Sequence, residues 1–267
     1  MSLFYLLLVA IIQGLTEFLP VSSSGHLVLL PHLVGTQDQG PAIDVAVHVG
    51  TLGAVILFFW QDVKSAIFGV PHMLTGRIDT DGSKLAFLLM IATIPVVIIG
   101  LILKVTGLAD QMRSITVIGW SMLLFGVVLY YYDQIGSEEK TIQDWTLAEA
   151  IKLGLWQAVA LIPGTSRSGI TITGARKMGY NRKDGARISM LMSIPTIIAS
   201  GVLLGADVIG QADWELLKLA GIGALFAFGA AMLALSLMMK LLNTISFTPY
   251  VIYRVILGVI LIAIAYT

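Results

Sequence analysis

QGLTEFLPVSSSGH, residues 13–26, and QAVALIPGTSRSG, residues 157–169, decide how this chain is read. Each divides an apolar segment, Leu3 to Val34 and Leu147 to Met178, with proline, glycine and a cluster of hydroxyls. Every arm is too short, or too polar at its tip, to cross roughly 30 Å of hydrocarbon at about 1.5 Å per residue. The pattern predicts two helix-loop-helix segments that enter the bilayer and return on the same side. Irregular backbone at membrane depth persists only where protein or a water-filled cavity surrounds it, so the two interruptions mark a candidate site.

The remainder reads as the frame that holds them. The 267 residues are 57% hydrophobic and 12% charged, with a mean hydropathy of +0.90, which excludes an ordinary soluble domain. Six stretches are long and apolar enough to span: Ile43 to Trp60, Leu85 to Leu103, Ile115 to Tyr132, Ile188 to Leu204, Leu219 to Leu241 and Tyr250 to Tyr266. Pro95 and Pro195 fall inside spans, where neighbouring helices or hydroxyls can re-satisfy the freed carbonyl. Leu3 to Leu19 has neither a basic leader nor a small-residue cleavage site and is expected to be structure, not a signal peptide. Net charge is zero, so nucleic acid is not an expected partner; membrane lipids are. With no cysteine, disulfides, thiolate metal sites and thiol catalysis are ruled out. The expected fold is an all-α integral membrane protein, one membrane domain over residues 1–267 with six transmembrane helices and two re-entrant segments.

Gln13 to Gly25 and Gln157 to Gly169 share the order glutamine, hydroxyl loop, glycine at the same separation, with Pro20 and Pro163 offset by one. Halves of approximately 1–135 and 145–267 would each hold one re-entrant pair and three spans. An odd number of crossings inverts the second copy and lets the loop tips meet at the midplane. Lysines and arginines outside the spans and tips divide eleven to three, with only Lys104, Arg113 and Lys218 on the sparse side. The positive-inside rule then places the rich side in the cytoplasm and both termini outside. The stretch Arg176 to Arg187 contributes most of that bias and reads as a cytoplasmic anchor.

Glu17, among Leu15, Phe18 and Leu19, would cost roughly 2.5–3.5 kcal/mol at mid-helix in a bilayer, so it needs a reason to be there. Gln13, four residues earlier, shares its helix face. Ser22, Ser23 and Ser24 lead into Gly25 and His26. Their hydroxyls, and the first backbone N–H groups of the second arm, suit phosphate oxygens. His26 could relay a proton or attack phosphorus, and Glu17 could hold its tautomer or take a serine proton. The second tip offers Thr165, Ser166, Arg167 and Ser168. Arg167 carries an always-charged planar fork that fits phosphate and is costly to bury unpaired. A structural Arg167–Glu17 pair is the alternative, and it too needs the loops to touch.

Asp44 and His48 share a face of the first span and could line the cavity, but receive no role. His32 and His72 read as interfacial, and Arg254, beside Tyr250 and Tyr253, as a snorkelling arginine in an aromatic belt. No HExxH or other recognisable metal-ligand spacing is present; a pyrophosphate can bring its own hard cation, with water completing the shell.

At these loops the sequence resembles the undecaprenyl-pyrophosphate phosphatase family. The first family motif, a Glu or Gln four residues before a Glu, is met by Gln13 and Glu17 running into FLPVSSSGH. The second, PG-x-SRS-x-x-T, is met by Pro163, Gly164, Ser166, Arg167, Ser168 and Thr171. Weaker similarity through IDVAVHVGTLGAV and SFTPYVIYR extends the resemblance over essentially the whole chain. It implies six spans with two inverted re-entrant pairs in a bacterial inner membrane, and a site opening to the periplasmic face. It also implies removal of inorganic phosphate from the pyrophosphorylated polyprenyl carrier lipid, recycling it for cell-wall synthesis, dependence on a divalent cation such as Mg or Ca, and bacitracin tolerance when the enzyme is abundant. The residues carried over are Glu17, Ser22 to Ser24, His26, Ser166 and Arg167. Glutamine at position 13 argues against an obligatory acid or base there.

The expected chemistry is in-line phosphoryl transfer. Ser23 attacks the outer phosphate, Glu17 and His26 handle its proton, Arg167 with Ser166 steadies the equatorial oxygens, and water clears the phosphoenzyme. His26 as nucleophile, or direct attack by water, stays open. A secondary transporter or lipid flippase is the rival class, since inverted repeats with broken helices are its hallmark. The type-2 phosphatidic-acid phosphatase pattern, suggested by SSGH and SRS, fails because no histidine follows Arg167 at its spacing and its Lys–Arg–Pro motif is absent.

Overall fold

Helices satisfy their own backbone in lipid, and the computed structural model is helical, describing residues 2–112, 114–209 and 214–266. Arg113 and the side chains of His32, Asp110 and residues 204–209 lie outside the described residues, so the orientation count for Arg113 and the interfacial reading of His32 are not addressed. In chain order the helices are α1 (Leu3–Glu17), α2 (Ser23–Val34), α3 (Pro41–Phe58), α4 (Trp60–Leu74), α5 (Asp81–Thr106), α6 (Leu108–Gln111), α7 (Ile115–Ile135), α8 (Leu147–Val159), α9 (Arg167–Lys177), α10 (Arg182–Ile209), α11 (Trp214–Leu241) and α12 (Thr248–Tyr266).

Six of these, α3, α5, α7, α10, α11 and α12, are long and apolar enough to cross a bilayer, and they fall on the six stretches picked from sequence. The chain is a multi-pass membrane protein. The helices outrun the apolar stretches because polar residues cap them, as where Thr80 and Ser83 close a capping box ahead of α5. One boundary differs in kind. Trp60 does not end the first span but opens α4, a helix that its charges Asp62 and Lys64 hide from an apolar count.

The remaining paired helices are short: α1 has 15 residues, α2 12, α8 13 and α9 11, about 16 to 23 Å at 1.5 Å per residue. Each pair folds back through a tight tip. The tips are set in place by close packing of α1 and α3 on α11. A Cβ on Gly14 would lie 2.5 Å from the Ala227 carbonyl oxygen, and one on Gly50 2.1 Å from that of Ala224. Only glycine permits those approaches, which bring the faces carrying Gln13, Glu17 and His48 to one wall. Leu6, Val9, Val47 and Ala227 fill the space between them.

At the opposite ends of the spans, Asp133 of α7 is buried against Arg176 and Arg182. Arg182 Nε donates to its Oδ1 at 2.8 Å, and the Phe247 N–H donates to Oδ2 at 3.0 Å. Arg176, 1% exposed, also donates to the carbonyls of Asp133, Gly136, Ser137 and Tyr180. Part of the basic stretch read as an anchor is therefore an internal tie between α7, α9 and α10. Outward faces stay apolar, with Ile98, Leu101, Leu124 and Leu225 each more than half exposed, a surface suited to lipid and not to water.

Candidate active site

The two tips turn the same way. Ser22 and Ser166, at φ 73° and 70°, are the non-glycine residues with positive φ among the described residues. Such a conformation costs a side-chain-bearing residue on the order of 1–3 kcal/mol. Glycine would avoid that strain, but only the serine oxygen also caps the next helix. Ser22 Oγ accepts from the Gly25 N–H at 3.4 Å and Ser166 Oγ from the Gly169 N–H at 3.1 Å. A second serine stands by each cap, Ser24 at 3.3 Å and Ser168 at 3.1 Å. The first-turn N–H groups of α2 and α9, which have no intrahelical acceptor, are thereby held at the tips.

Between the tips lies Glu17, 8% exposed. Its Oε2 accepts from Ser23 Oγ at 2.7 Å and from Gln13 Nε2 at 2.9 Å. Its Oε1 is ion-paired with Arg167 Nη2, whose Nη1 donates to the Ser193 carbonyl at 3.2 Å. His48 Nε2 stands 3.8 Å from Oε2, with the other ring nitrogen 2.7 Å from the Asp44 carbonyl. A buried carboxylate and a buried guanidinium are each prohibitive alone and tolerable together. A cavity of about 300 Å3 adjoins this cluster, lined among others by Ser23, Ser24, Asp44, His48 and Pro163. Glu17, Ser23, Arg167 and Gln13 are thus brought together as the sequence suggested.

Other candidates are placed differently. His26 does not join Ser23 and Glu17: its Nδ1 is 2.7 Å from the Ser22 carbonyl and its Nε2 2.5 Å from the Tyr253 hydroxyl, on whose ring it stacks. Because a carbonyl only accepts, Nδ1 carries a proton and, in the neutral ring, Nε2 accepts from Tyr253. The expected relay from Ser23 through His26 is not formed. Nor do the second tip's hydroxyls face the cavity. Ser166 is engaged as a cap, Ser168 donates to the Leu19 carbonyl at 2.9 Å, and Thr171 donates to the Arg167 carbonyl at 2.7 Å. Thr165 Oγ1 is buried with no partner among the described residues.

Arg254 corrects its sequence reading outright. It is 0% exposed and reaches neither lipid boundary nor water. Its guanidinium donates to the carbonyls of Pro20 in the first tip (3.5 Å), Gly164 (3.3 Å) and Thr165 (2.8 Å) in the second, and Met122 (3.2 Å). Together with Ser168 and the Glu17–Arg167 pair it clasps the tips to one another.

The profile of a family described as "Bacitracin resistance protein BacA" matches residues 6–260. The chain belongs to that family. Similar proteins named undecaprenyl-diphosphatase include one from Jannaschia sp. (strain CCS1), 67% identical over 266 residues and covering 100% of both chains. Another, from Ruegeria pomeroyi, is 66% identical over 267 residues with the same full coverage. One from Saccharophagus degradans is 42% identical over 268 residues, 100% of this chain and 99% of that one.

For a BacA-family chain with this geometry, the arrangement can deprotonate a serine and neutralise an anion beside it, next to a cavity large enough for a phosphate group. Sequence reasoning gave three residues of the assembly no role in the site, although it placed His48 with Asp44 where both could line the cavity, as they do. His48 had a usable signal, since Asp44 and His48 one turn apart on an apolar span are both costly there. Tyr253 and Arg254 had none, because their partners are a ring 227 residues away and backbone carbonyls.

Proposed function

We propose that this chain hydrolyses undecaprenyl pyrophosphate to undecaprenyl phosphate and inorganic phosphate, the activity for which its relatives are named. The observation that carries the reading is the Glu17 carboxylate, which receives the Ser23 hydroxyl at 2.7 Å while paired with Arg167. Ser23 Oγ attacks the outer phosphorus as its proton passes to Glu17. The bond to undecaprenyl phosphate breaks on the opposite side, the departing oxygen keeps the electron pair and leaves as a phosphate anion, and Glu17 passes its proton to water. Glu17 next accepts a proton from the water that attacks phosphoserine, and returns it to Ser23 as phosphate leaves. Arg167 has N–H groups beyond those bonded to Glu17 and Ser193 for the phosphate oxygens. The N–H groups opening α2 add further donors. His26, tied to Ser22 and Tyr253, positions the tip in this scheme and moves no proton.

A divalent cation, Mg or Ca, would arrive on the pyrophosphate. Among the described residues no three of His, Cys, Asp and Glu gather as ligands, but Asp38 and Asp44 line the cavity and fit as two oxygen donors to an ion otherwise held by phosphate and water. When bound it supplies charge neutralisation.

In the same reading α1–α2 and α8–α9 enter the bilayer from opposite faces and return, and residues 1–135 and 145–267 form an inverted repeat. The matched backbone of the two tips supports this. The basic-residue asymmetry favours cytoplasmic ends at Phe58 and Leu241, with both termini and the cavity mouth periplasmic. Purified protein in detergent should release phosphate from undecaprenyl pyrophosphate and, quenched in mid-turnover, carry an acid-stable phosphoryl label. An acid-labile label would shift the nucleophile to histidine. Lipid transport without phosphate release would overturn the reading in favour of a carrier.

A further inference from the structure

Away from the Glu17 cluster, α3, α10 and α11 part at one end and leave an open groove of about 770 Å3. Leu57, Phe59 and Met239 contribute apolar lining, while Lys183, Arg187 and Lys240 contribute positive charge. Arg187 is neutralised within the groove by Asp62, to which its Nε donates at 2.9 Å. The ammonium groups of Lys183 and Lys240 are exposed and have no acceptor among the described residues. Asp184 also stands 3.9 Å from Arg187, and the groove presents two unpaired ammonium groups, with a net positive charge, beside apolar side chains. It also sits at the ends of membrane-crossing helices, with Trp60 47% exposed at its edge, the residue type that marks the boundary between hydrocarbon and water.

A single surface lysine calls for no ligand. Two lysines from different helices, flanking an apolar floor at the level of the headgroups, are complementary to a phosphate joined to acyl chains. We propose that this groove binds an anionic glycerophospholipid, its phosphate held by Lys183 and Lys240 and its first methylenes lying along Leu57, Phe59 and Met239. The site stands on different residues from the Glu17 cluster and does not depend on the reaction assigned to it.

The test is thermal unfolding of the purified full chain in neutral detergent, followed by circular dichroism, with added short-chain phosphatidylglycerol, phosphatidylcholine of the same chain length, or inorganic phosphate. Phosphatidylglycerol should raise the midpoint saturably, and the other two should leave it in place. Lys183→Gln and Lys240→Gln should each weaken the apparent affinity about fivefold, and together about 25-fold. Lys64→Gln, which removes an exposed lysine outside the groove, should change nothing. An equal response to phosphatidylcholine, a response to inorganic phosphate alone, or an undiminished phosphatidylglycerol response in the double variant would overturn the proposal. The wild-type lipid comparison decides the matter even if a variant fails to fold.

Discussion

At Ser22 and Ser166 the two tips share one backbone turn and one capping pattern, yet the next residue is Ser23 in the first and Arg167 in the second. The helices leading into them differ similarly. Gln13 and Gln157 are counterparts by spacing and are both 0% exposed, but four residues on stands Glu17 in one and Leu161 in the other. Gln13 therefore donates to a carboxylate, whereas neither polar atom of Gln157 has a partner among the described residues. Two tips of like backbone thus carry a serine and a carboxylate on one side and a guanidinium on the other. Each charge is affordable at depth only because the other tip supplies its opposite.

The sharpest way to break this comparison is Ser23→Ala, which should lower phosphate release by at least about 10⁴-fold with little change in unfolding midpoint. A serine lost from the second tip, Ser168→Ala, removes a bond to the Leu19 carbonyl and should cost only about 0.5–1.5 kcal/mol of stability. Glu17→Gln comes next: a rate loss of about 10²–10⁴-fold and, with Arg167 left unpaired, about 3–5 kcal/mol of stability. Adding Arg167→Gln should return much of the stability and none of the rate. Strictly additive losses in a double-mutant cycle would show that the two charges do not act as a unit.

The glutamines give a smaller contrast. Gln13→Leu loses a hydrogen bond to a charged group, about 1.5–3 kcal/mol, while Gln157→Leu removes an unsatisfied amide and should be neutral or stabilising in thermal melts. Smallest of all, Ser22→Gly and Ser166→Gly exchange a cap for relief of strain. Each should shift stability by less than about 1 kcal/mol, and by similar amounts. A clear difference between them in chemical or thermal unfolding would mean that the two backbones are not equivalent.

The frame was legible because membrane spans announce themselves as apolar runs. The Glu17–Arg167 contact was legible for the same physical reason, since neither ion survives alone in such surroundings. α4 was not, because Asp62 and Lys64 interrupt its apolar face and its seat on α5 depends on Gly69 meeting Gly82, a tertiary contact. His26 misled through proximity. Nine residues from Glu17, it turns instead to Tyr253. Arg254 misled through composition, because tyrosines nearby imitate an interfacial belt while its acceptors are main-chain oxygens that leave no mark in a sequence.

That buried arginine also sets a schedule for biosynthesis. α12 is translated after both tips, and at about 5–20 residues per second the roughly ninety residues between Arg167 and Arg254 take several seconds to emerge. Until then a nascent chain holds Ser23, Glu17 and Arg167 without the Arg254 cross-brace that fastens the tips. A chain halted before α12 would carry all three side chains and no assembled cluster, so the joining of the two tips waits on the insertion of α12.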